Sequence, residues 1–270
     1  MKTLYVTDLD GTLLNASGQI SPFSAKSINA LLERGMLFTY ASARSFSTAA
    51  QVTAPLRLTL PAIVYNGAFI VDTGSGETLF SAFLSEEQIA RIRAFIKDAF
   101  APLVYSYIGQ NEHVSYLASA VSSGMQAYLD ARRGDKRLRP VQTQEELFEG
   151  QPFYFTFIGD EVSLTPLYQR FADDVDLNVL LQQEKGQHFW CEIMPKAATK
   201  GNALKRLKNM VGAEKLVCFG DGLNDAALFH QADACYAVKN AVPALQKLAT
   251  ALIASNEEDG VARFLMAQHF

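Results

Sequence analysis

The chain has 270 residues, of which 49% are hydrophobic and 19% charged; this composition excludes a disordered protein, and the length predicts two domains or one large α/β unit. The net charge of -4 gives no electrostatic reason to expect nucleic acid or an anionic membrane as a partner, because both select basic surfaces. Without a signal peptide, a transmembrane-length apolar run or a cysteine pattern typical of disulfides or zinc, we expect a cytoplasmic protein that acts on metabolites.

The amino-terminal segment alternates strands with helices. Its predicted strands are Thr3–Thr7, Met36–Ala41 and Pro61–Tyr65. Ser21 followed by Pro22 has the pattern of a helix N-cap with proline in the first turn, and Gly35 is a plausible stop. A second short helix is expected after the second strand. Strands that alternate with helices indicate a parallel sheet.

The middle of the chain has a different pattern of predicted strands and helices. Residues 69–83 predict an antiparallel hairpin that leaves the sheet, and residues 84–193 predict an inserted α+β domain with a helix at Glu86–Phe100. The strands expected in this insert are Val104–Ile108, Val114–Leu117, Phe153–Ile158 and Val179–Gln182.

The α/β alternation resumes with a helix after Thr199. Its predicted strands are Lys215–Phe219, Cys235–Val238 and Ala251–Ala254. The fold class is therefore α/β: a doubly wound, Rossmann-like parallel core formed by residues 1–83 and 194–270, interrupted by the insert.

Four carboxylates follow predicted strands of this core. Asp8 and Asp10 come after the first strand, and Asp221 and Asp225 come after the strand that begins at Lys215. Ligands of an open parallel sheet gather at the carboxyl ends of its strands, so these side chains are expected at one site. Because they would repel one another, the sequence predicts a hard cation among them, most simply Mg²⁺.

A phosphoryl group has suitable partners at the same edge. Lys200 begins the helix that returns the chain to the core, and Ser42 follows the second strand. Together with the backbone N–H groups near Leu9 and Ala43, they form a predicted phosphate cradle. Gly11 permits the tight turn that such a cradle needs.

The spacing of two between Asp8 and Asp10 assigns their predicted roles. Asp8 would attack phosphorus as a nucleophile, and Asp10 would protonate the leaving group and later deprotonate water. The pattern therefore predicts a Mg²⁺-dependent phosphatase that acts on a small soluble phosphate ester. Two further residues stay open at this point: Arg44 is either a substrate contact or a local ion pair, and Asn66 either a substrate contact or part of a turn.

These motifs resemble the haloacid dehalogenase superfamily of phosphatases, specifically its Cof-like branch with a large inserted α/β cap. DLDGT at 8–12, Ser42, Lys200 and GDGLND at 220–225 are similar to the family's four motifs in order, and residues 256–262 are similar to the branch's carboxyl-terminal stretch. The second motif usually reads Thr-Gly-Arg and is Ser-Ala-Arg here, which keeps the hydroxyl but replaces the glycine with Ala43.

The resemblance implies a set of ligand contacts. Mg²⁺ would be bound by the side chains of Asp8 and Asp221 and the backbone carbonyl of Asp10, with Asp225 in support. Phosphate would contact Leu9, Ser42, Ala43, Lys200 and Asn224. The resemblance also implies that the cap closes over a substrate such as a sugar phosphate.

Two alternatives remain. A phosphomutase shares the nucleophile and cap but returns the phosphoryl group to a second sugar hydroxyl. A phospho-accepting receiver domain also clusters Asp, a hydroxyl and Lys on a parallel sheet, but it is shorter and has no need of an acid two residues after the nucleophile.

Overall fold

The computed structural model describes residues 1–96, 100–183 and 188–268. The chain forms two compact units: Met1–Ser81 with Ala198–Phe270, and Ala82–Ala197. We call the first the core unit and the second the insert unit. The predicted insert, residues 84–193, lies within the insert unit.

The strands and helices are numbered along the chain. The strands are β1 (Thr3–Thr7), β2 (Leu37–Tyr40), β3 (Ala62–Val64), β4 (Phe69–Val71), β5 (Thr78–Ser81), β6 (Leu103–Ile108), β7 (Asn111–Leu117), β8 (Leu138–Val141), β9 (Gln151–Gly159), β10 (Leu177–Gln183), β11 (Phe189–Pro195), β12 (Lys215–Gly220), β13 (Ala234–Val238) and β14 (Ala251–Ile253). The α-helices are α1 (Pro22–Glu33), α2 (Phe46–Thr53), α3 (Glu86–Phe95), α4 (Ser123–Asp130), α5 (Gln144–Leu147), α6 (Glu161–Phe171), α7 (Lys200–Val211), α8 (Ala226–Phe229), α9 (Pro243–Gln246) and α10 (Gly260–Met266). Among these helices, none is long and apolar enough to cross a membrane.

The core unit contains the parallel sheet that the sequence predicts. Its strand order is β14-β13-β12-β1-β2, and every neighbouring pair is parallel. β3 differs from the expectation, because it pairs with β4 in a separate antiparallel sheet of order β3-β4-β5. A single parallel bridge between Ala41 and Ile63 connects β3 to the chain just after β2. The hairpin predicted at 69–83 is confirmed as the antiparallel pair β4–β5.

Local sequence signals explain where the core helices begin. The Ser21 side chain accepts a hydrogen bond from the Ser24 N–H, and Pro22 occupies the first turn of α1, as predicted. The helix ends at Glu33, and Gly35 adopts a φ of +91° just beyond it. Thr199 caps α7 by accepting a hydrogen bond from the Asn202 N–H at 3.0 Å.

The insert unit is an α+β structure with one six-stranded sheet of order β10-β11-β9-β6-β7-β8. Its hydrophobic core includes Phe155 and Phe157 of β9 and Leu164 and Phe171 of α6. The four strands expected here are present, but β8 and β11 and the helices α4 to α6 were missed. The predicted helix at Glu86–Phe100 ends earlier, at Phe95, because Ile96 adopts an extended backbone; residues 97–99 lie outside the described residues.

Candidate active site

The carboxyl ends of β1, β2 and β12 lie side by side in the parallel sheet. Thr7 pairs with Phe219 on one side and with Tyr40 on the other. Two hydrogen bonds extend this register past the strand ends, from the Asp8 N–H to the Phe219 carbonyl at 3.0 Å and from the Ala41 N–H to the Thr7 carbonyl at 2.9 Å. The loops after these strands therefore begin at one edge of the sheet, as the sequence predicts.

Lys200 lies between two carboxylates at this edge. Its ammonium is 2.6 Å from Asp8 Oδ1 and 2.7 Å from Asp225 Oδ1. The Lys200 and Asp225 side chains are fully buried, and that of Asp8 is 7% exposed. Burial lowers the pKa of Lys200, but the charges of Asp225 and Asp8 outweigh it and hold the pKa above its ordinary value. Lys200 is therefore a buried cation that joins β1 to the loop after β12.

Asp225 uses both of its oxygens to shape its own loop. Oδ1 accepts from Lys200, and Oδ2 accepts from the backbone N–H groups of Asp221 and Gly222, each at 3.0 Å. Gly220 has to lack a side chain here, since a Cβ would lie 2.6 Å from the Asp225 Cβ. Asp225 thus fixes the backbone that carries Asp221.

Asp221 is held against the loop that follows β1. The Thr12 hydroxyl donates to Asp221 Oδ1 at 2.8 Å. Gly11 has a φ of +81°, and a Cβ on it would lie 2.3 Å from Asp221 Oδ2. Glycine at position 11 therefore lets the carboxylate of Asp221 approach the backbone of the Asp8–Thr12 loop.

Asp8, Asp221 and Asp225 together form a candidate metal site. Each offers one carboxylate oxygen, and these oxygens all lie within 4.8 Å of one another. Three carboxylates face the single ammonium of Lys200, so the fully ionised group carries two uncompensated negative charges. An all-oxygen donor set of this charge fits a hard divalent cation.

The electrostatics of the group agree with a need for a cation. Burial raises the pKa of Asp8 well above its ordinary value, and the charges of Asp225 and Asp221 add to that effect, while Lys200 opposes it. Burial, followed by repulsion from Asp225, raises the pKa of Asp221 to about 6. A bound cation would remove this repulsion.

Asp10 is not one of these three clustered carboxylates, and its side chain bonds Arg44. The Arg44 Nε donates to Asp10 Oδ2 and Nη2 donates to Oδ1, both at 2.7 Å. Hydrogen bonding to the Asp10 carboxylate is the main reason why the pKa of Arg44 is raised. The sequence left a substrate contact or a local ion pair open for Arg44, and the structure shows the ion pair.

The expected phosphate-binding residues lie on the loops around Asp8. Ser42 is buried, its N–H donates to the Ile63 carbonyl at 2.9 Å, and its hydroxyl accepts from the Arg44 N–H at 3.1 Å. Ala43 is half-buried and has a negative φ, so its Cβ causes no backbone strain. The Leu9 carbonyl accepts from the N–H groups of residues 12–14, which closes the tight turn after Asp8.

The Tyr65-Asn66-Gly67 turn supports the start of α7. All three residues have positive φ angles, of 50°, 52° and 101°. A Cβ on Gly67 would lie 2.2 Å from the Thr199 carbonyl oxygen, which shows how closely the turn packs against the residue before Lys200. The side chain of buried Asn66 accepts a hydrogen bond from Asn224 Nδ2 at 3.2 Å.

Sequence reasoning missed the roles of several residues in this site. Gly11 was interpreted only as a turn former and Thr12 only as part of the DLDGT motif, although Thr12 bonds Asp221 and Gly11 leaves room for its carboxylate. Tyr65 and Thr199 were not singled out. The Asn-Gly pair at 66–67 was a usable signal for the left-handed turn, but its contact with Thr199 joins residues more than a hundred positions apart and leaves no local pattern.

Comparison with known proteins gives consistent results. The sequence profile of the haloacid dehalogenase-like hydrolases matches residues 5–265. The Bacillus subtilis 5-amino-6-(5-phospho-D-ribitylamino)uracil phosphatases YwtE and YitU are 26% and 24% identical to this chain; the alignments cover 96% and 97% of it and 95% and 96% of those proteins. The crystal structure of TM0651 from Thermotoga maritima has a TM-score of 0.80 and 25% identity, and the match covers 100% of this chain and 98% of that one.

The contact between Gly67 and Thr199 predicts an unequal effect of two matched substitutions. Gly35→Ala places a Cβ at a φ of +91° with no atom within 4 Å, so we expect only the backbone cost of about 1–2 kcal/mol. Gly67→Ala has a similar φ of +101° but adds the clash with Thr199, so we expect at least about 1–3 kcal/mol more. Thermal unfolding of both variants measures the difference; equal losses would show that the turn is not tightly packed against α7.

The raised pKa of Asp221 predicts a pH-dependent stability of the metal-free protein. The pKa of Asp221 is about 6 in the folded chain and near 3.8 in the unfolded chain. The folded chain therefore binds the proton of this carboxyl group more tightly. The contribution of Asp221 to stability is therefore full below about pH 4 and is lost as the pH rises through about 6. Asp221→Asn keeps an acceptor for Thr12 and cannot ionise. In EDTA at pH 8, we expect it to be more stable than the parental protein by about 1–3 kcal/mol.

The measurement is the melting temperature of both proteins in EDTA at pH 4.5 and pH 8. The difference in melting temperature between Asp221→Asn and the parental protein should be smaller at pH 4.5 than at pH 8. Added Mg²⁺ should raise the melting temperature of the parental protein but not that of the variant. A pH-independent difference between the two proteins would contradict the raised pKa.

Proposed function

This chain belongs to the haloacid dehalogenase-like hydrolases and is a phosphatase, and we propose that it hydrolyses small phosphate monoesters through a phosphorylated Asp8, with Mg²⁺ as cofactor. One observation carries this proposal: the buried Lys200 bonds Asp8 and Asp225, and Asp221 offers a further carboxylate oxygen within 4.8 Å of theirs. A nucleophile, a counter-ion for phosphate and the ligands for a cation are thus collected at one sheet edge.

The metal site rests on the donor set. Haloacid dehalogenase-like hydrolases use a divalent metal, and the hard oxygen donors favour Mg²⁺. We assign the side chains of Asp8 and Asp221 and the Asp10 backbone carbonyl as its ligands. Asp225 is assigned a supporting role, because its oxygens already accept from Lys200 and two backbone N–H groups. When bound, the cation would neutralise the phosphoryl oxygens and so permit attack by an anion.

The side chains around Asp8 supply the phosphate site. Lys200 offers its charge and the Ser42 hydroxyl a donor, and the backbone N–H groups of Leu9 and Ala43 would complete the cradle with Asn224. The Asn224 side chain is already oriented by its bond to Asn66 Oδ1 at 3.2 Å. Asn66 is therefore assigned an orienting role rather than a direct contact.

The reaction has two steps. In the first, a carboxylate oxygen of Asp8 forms a bond to phosphorus, the ester oxygen leaves with the bonding electrons, and Asp10 gives that oxygen a proton. In the second, Asp10 takes a proton from water, whose oxygen attacks phosphorus and releases Asp8 and inorganic phosphate. Both Asp10 oxygens accept a hydrogen bond from Arg44 in the substrate-free site, and we propose that Arg44 releases at least one of them when Asp10 exchanges a proton.

The relatives guide the choice of substrate class. YwtE and YitU are named for a uracil derivative whose ribityl chain carries the phosphate. We propose a substrate of the same general kind, a phosphorylated sugar, sugar alcohol or similar metabolite. The three cysteines, Cys191, Cys218 and Cys235, are buried and unpaired. That state supports a reducing compartment, and we place the enzyme in the cytoplasm.

Substitution of the two loop carboxylates tests the mechanism. We expect Asp8→Asn to reduce kcat by at least about 1,000-fold, because the amide is a poor nucleophile. Asp10→Asn should keep substrate binding but slow both steps by about 100- to 10,000-fold, because the proton donor is lost. Steady-state kinetics and melting temperatures of both variants provide the measurement.

Asp130→Asn is a suitable control, since it removes an exposed carboxylate paired with Arg133 in the insert unit. It should turn over at the parental rate. If folded Asp8→Asn retained more than about a tenth of the parental kcat, covalent catalysis by Asp8 would be ruled out.

A panel of phosphate esters tests the substrate class and the reaction type together. Sugar phosphates, sugar-alcohol phosphates and the ribityl compound would be incubated with Mg²⁺ or with EDTA. We expect steady release of inorganic phosphate with Mg²⁺ and less than about 1% of that rate with EDTA. Isomerised sugar phosphate without free phosphate would identify a phosphomutase instead. A protein that stayed phosphorylated by acetyl phosphate would contradict the phosphatase mechanism.

A further inference from the structure

The loop after β13 contacts both loops that carry the candidate metal ligands. We call residues 239–242 the bracing loop. The Asn240 Nδ2 donates to the Gly11 carbonyl at 2.8 Å, and the Val242 N–H donates to the Asp221 carbonyl at 2.9 Å. The bracing loop therefore donates one hydrogen bond to the backbone of the Asp8–Thr12 loop and one to the backbone of the Asp221 loop.

The bracing loop is itself fixed from several sides. The Asn256 N–H donates to Asn240 Oδ1 at 3.1 Å, so both polar atoms of the Asn240 side chain are bonded. The Gln246 Nε2 donates to the Ala241 carbonyl at 2.8 Å, and the Ala241 N–H donates to the Val238 carbonyl at 2.8 Å. The loop is thus anchored to β13, to α9 and to the carboxyl-terminal segment.

The bond to Gly11 bears directly on the geometry of the candidate ligands. Gly11 directly follows Asp10, whose backbone carbonyl is the assigned ligand. Without a side chain and with a φ of +81°, Gly11 has a wide range of accessible backbone angles. Asn240 holds the peptide on one side of Gly11, and the Asp221 carboxylate lies against its Cα. Asn240 therefore fixes one of the two peptides that flank Gly11 and limits the backbone freedom of the glycine that adjoins the Asp10 carbonyl.

We propose that Asn240 is a positioning residue for the metal site, and that its bond to Gly11 makes the site select Mg²⁺ over Ca²⁺. This inference rests on the metal site of the proposed function. Mg²⁺ requires near-octahedral oxygen ligands at about 2.0–2.1 Å, whereas Ca²⁺ accepts irregular ligands at about 2.3–2.6 Å. A loosened Asp10 carbonyl therefore weakens Mg²⁺ binding much more than Ca²⁺ binding.

The test measures binding rather than turnover. Mn²⁺ is bound to the metal-free protein, followed by electron paramagnetic resonance, and displaced by Mg²⁺ or Ca²⁺. In Asn240→Ala we expect the Mg²⁺ affinity to fall about 10-fold and the Ca²⁺ affinity to fall less than about 2-fold, as for the loss of one hydrogen bond beside a metal ligand.

Asn256→Ala is the matched control. It removes a side-chain bond to the Leu14 carbonyl at 2.9 Å, in the same amino-terminal loop, but keeps the backbone N–H that binds Asn240. It should lower the melting temperature about as much as Asn240→Ala and leave the ratio of the Mg²⁺ and Ca²⁺ affinities unchanged. Equal losses of both ions in Asn240→Ala, or no loss of either, would overturn the inference. A parental protein that bound none of the three ions would overturn the proposed metal site as well.

Discussion

The buried ion pairs of Lys200 are the interaction on which the geometry of this site depends. Lys200 begins α7 after the insert, Asp8 ends β1, and Asp225 lies beyond β12, so one ammonium joins three distant stretches of chain. Removing one partner from such a group leaves an uncompensated buried charge, at a cost of about 3–5 kcal/mol. When fully ionised, the same group has more negative than positive charge, so the arrangement that joins these three stretches of chain also favours the binding of a cation.

Close backbone approach is the second constraint. A Cβ on Gly11 would lie 2.3 Å from the Asp221 carboxylate, and a Cβ on Gly67 would lie 2.2 Å from the Thr199 carbonyl oxygen. In both cases the missing side chain lets a loop approach a second group: the Asp8–Thr12 loop approaches Asp221, and the left-handed turn approaches the start of α7. The close approach of the loops around the site therefore depends on these two glycines as well as on the charged residues.

The positions of the charged residues were predictable because they follow strands with clear periodicity. β1 and β12 have strong β-prone patterns, and a parallel sheet brings their ends together, so Asp8 and Asp221 had to be neighbours. The partner of Arg44 was not predictable, since a long side chain can reach several acids and only the folded loop selects Asp10. In the insert, β8 was missed because its four residues include Pro140, and proline is disfavoured in strands. β11 was also missed, although it pairs with the preceding strand β10 as well as with β9.

The Arg44–Asp10 pair has a consequence for the order of events in the proposed reaction. Both oxygens of Asp10 accept from the guanidinium, while the reaction requires one of them to exchange a proton. The backbone N–H of Arg44 also bonds the Ser42 hydroxyl, and the charge of Asp8 contributes to the raised pKa of Arg44, so this residue lies near the assigned phosphate cradle. A phosphate dianion entering that cradle competes with Asp10 for Arg44. We therefore expect substrate binding to release Asp10, the proposed acid, from the ion pair with Arg44 that the substrate-free site contains.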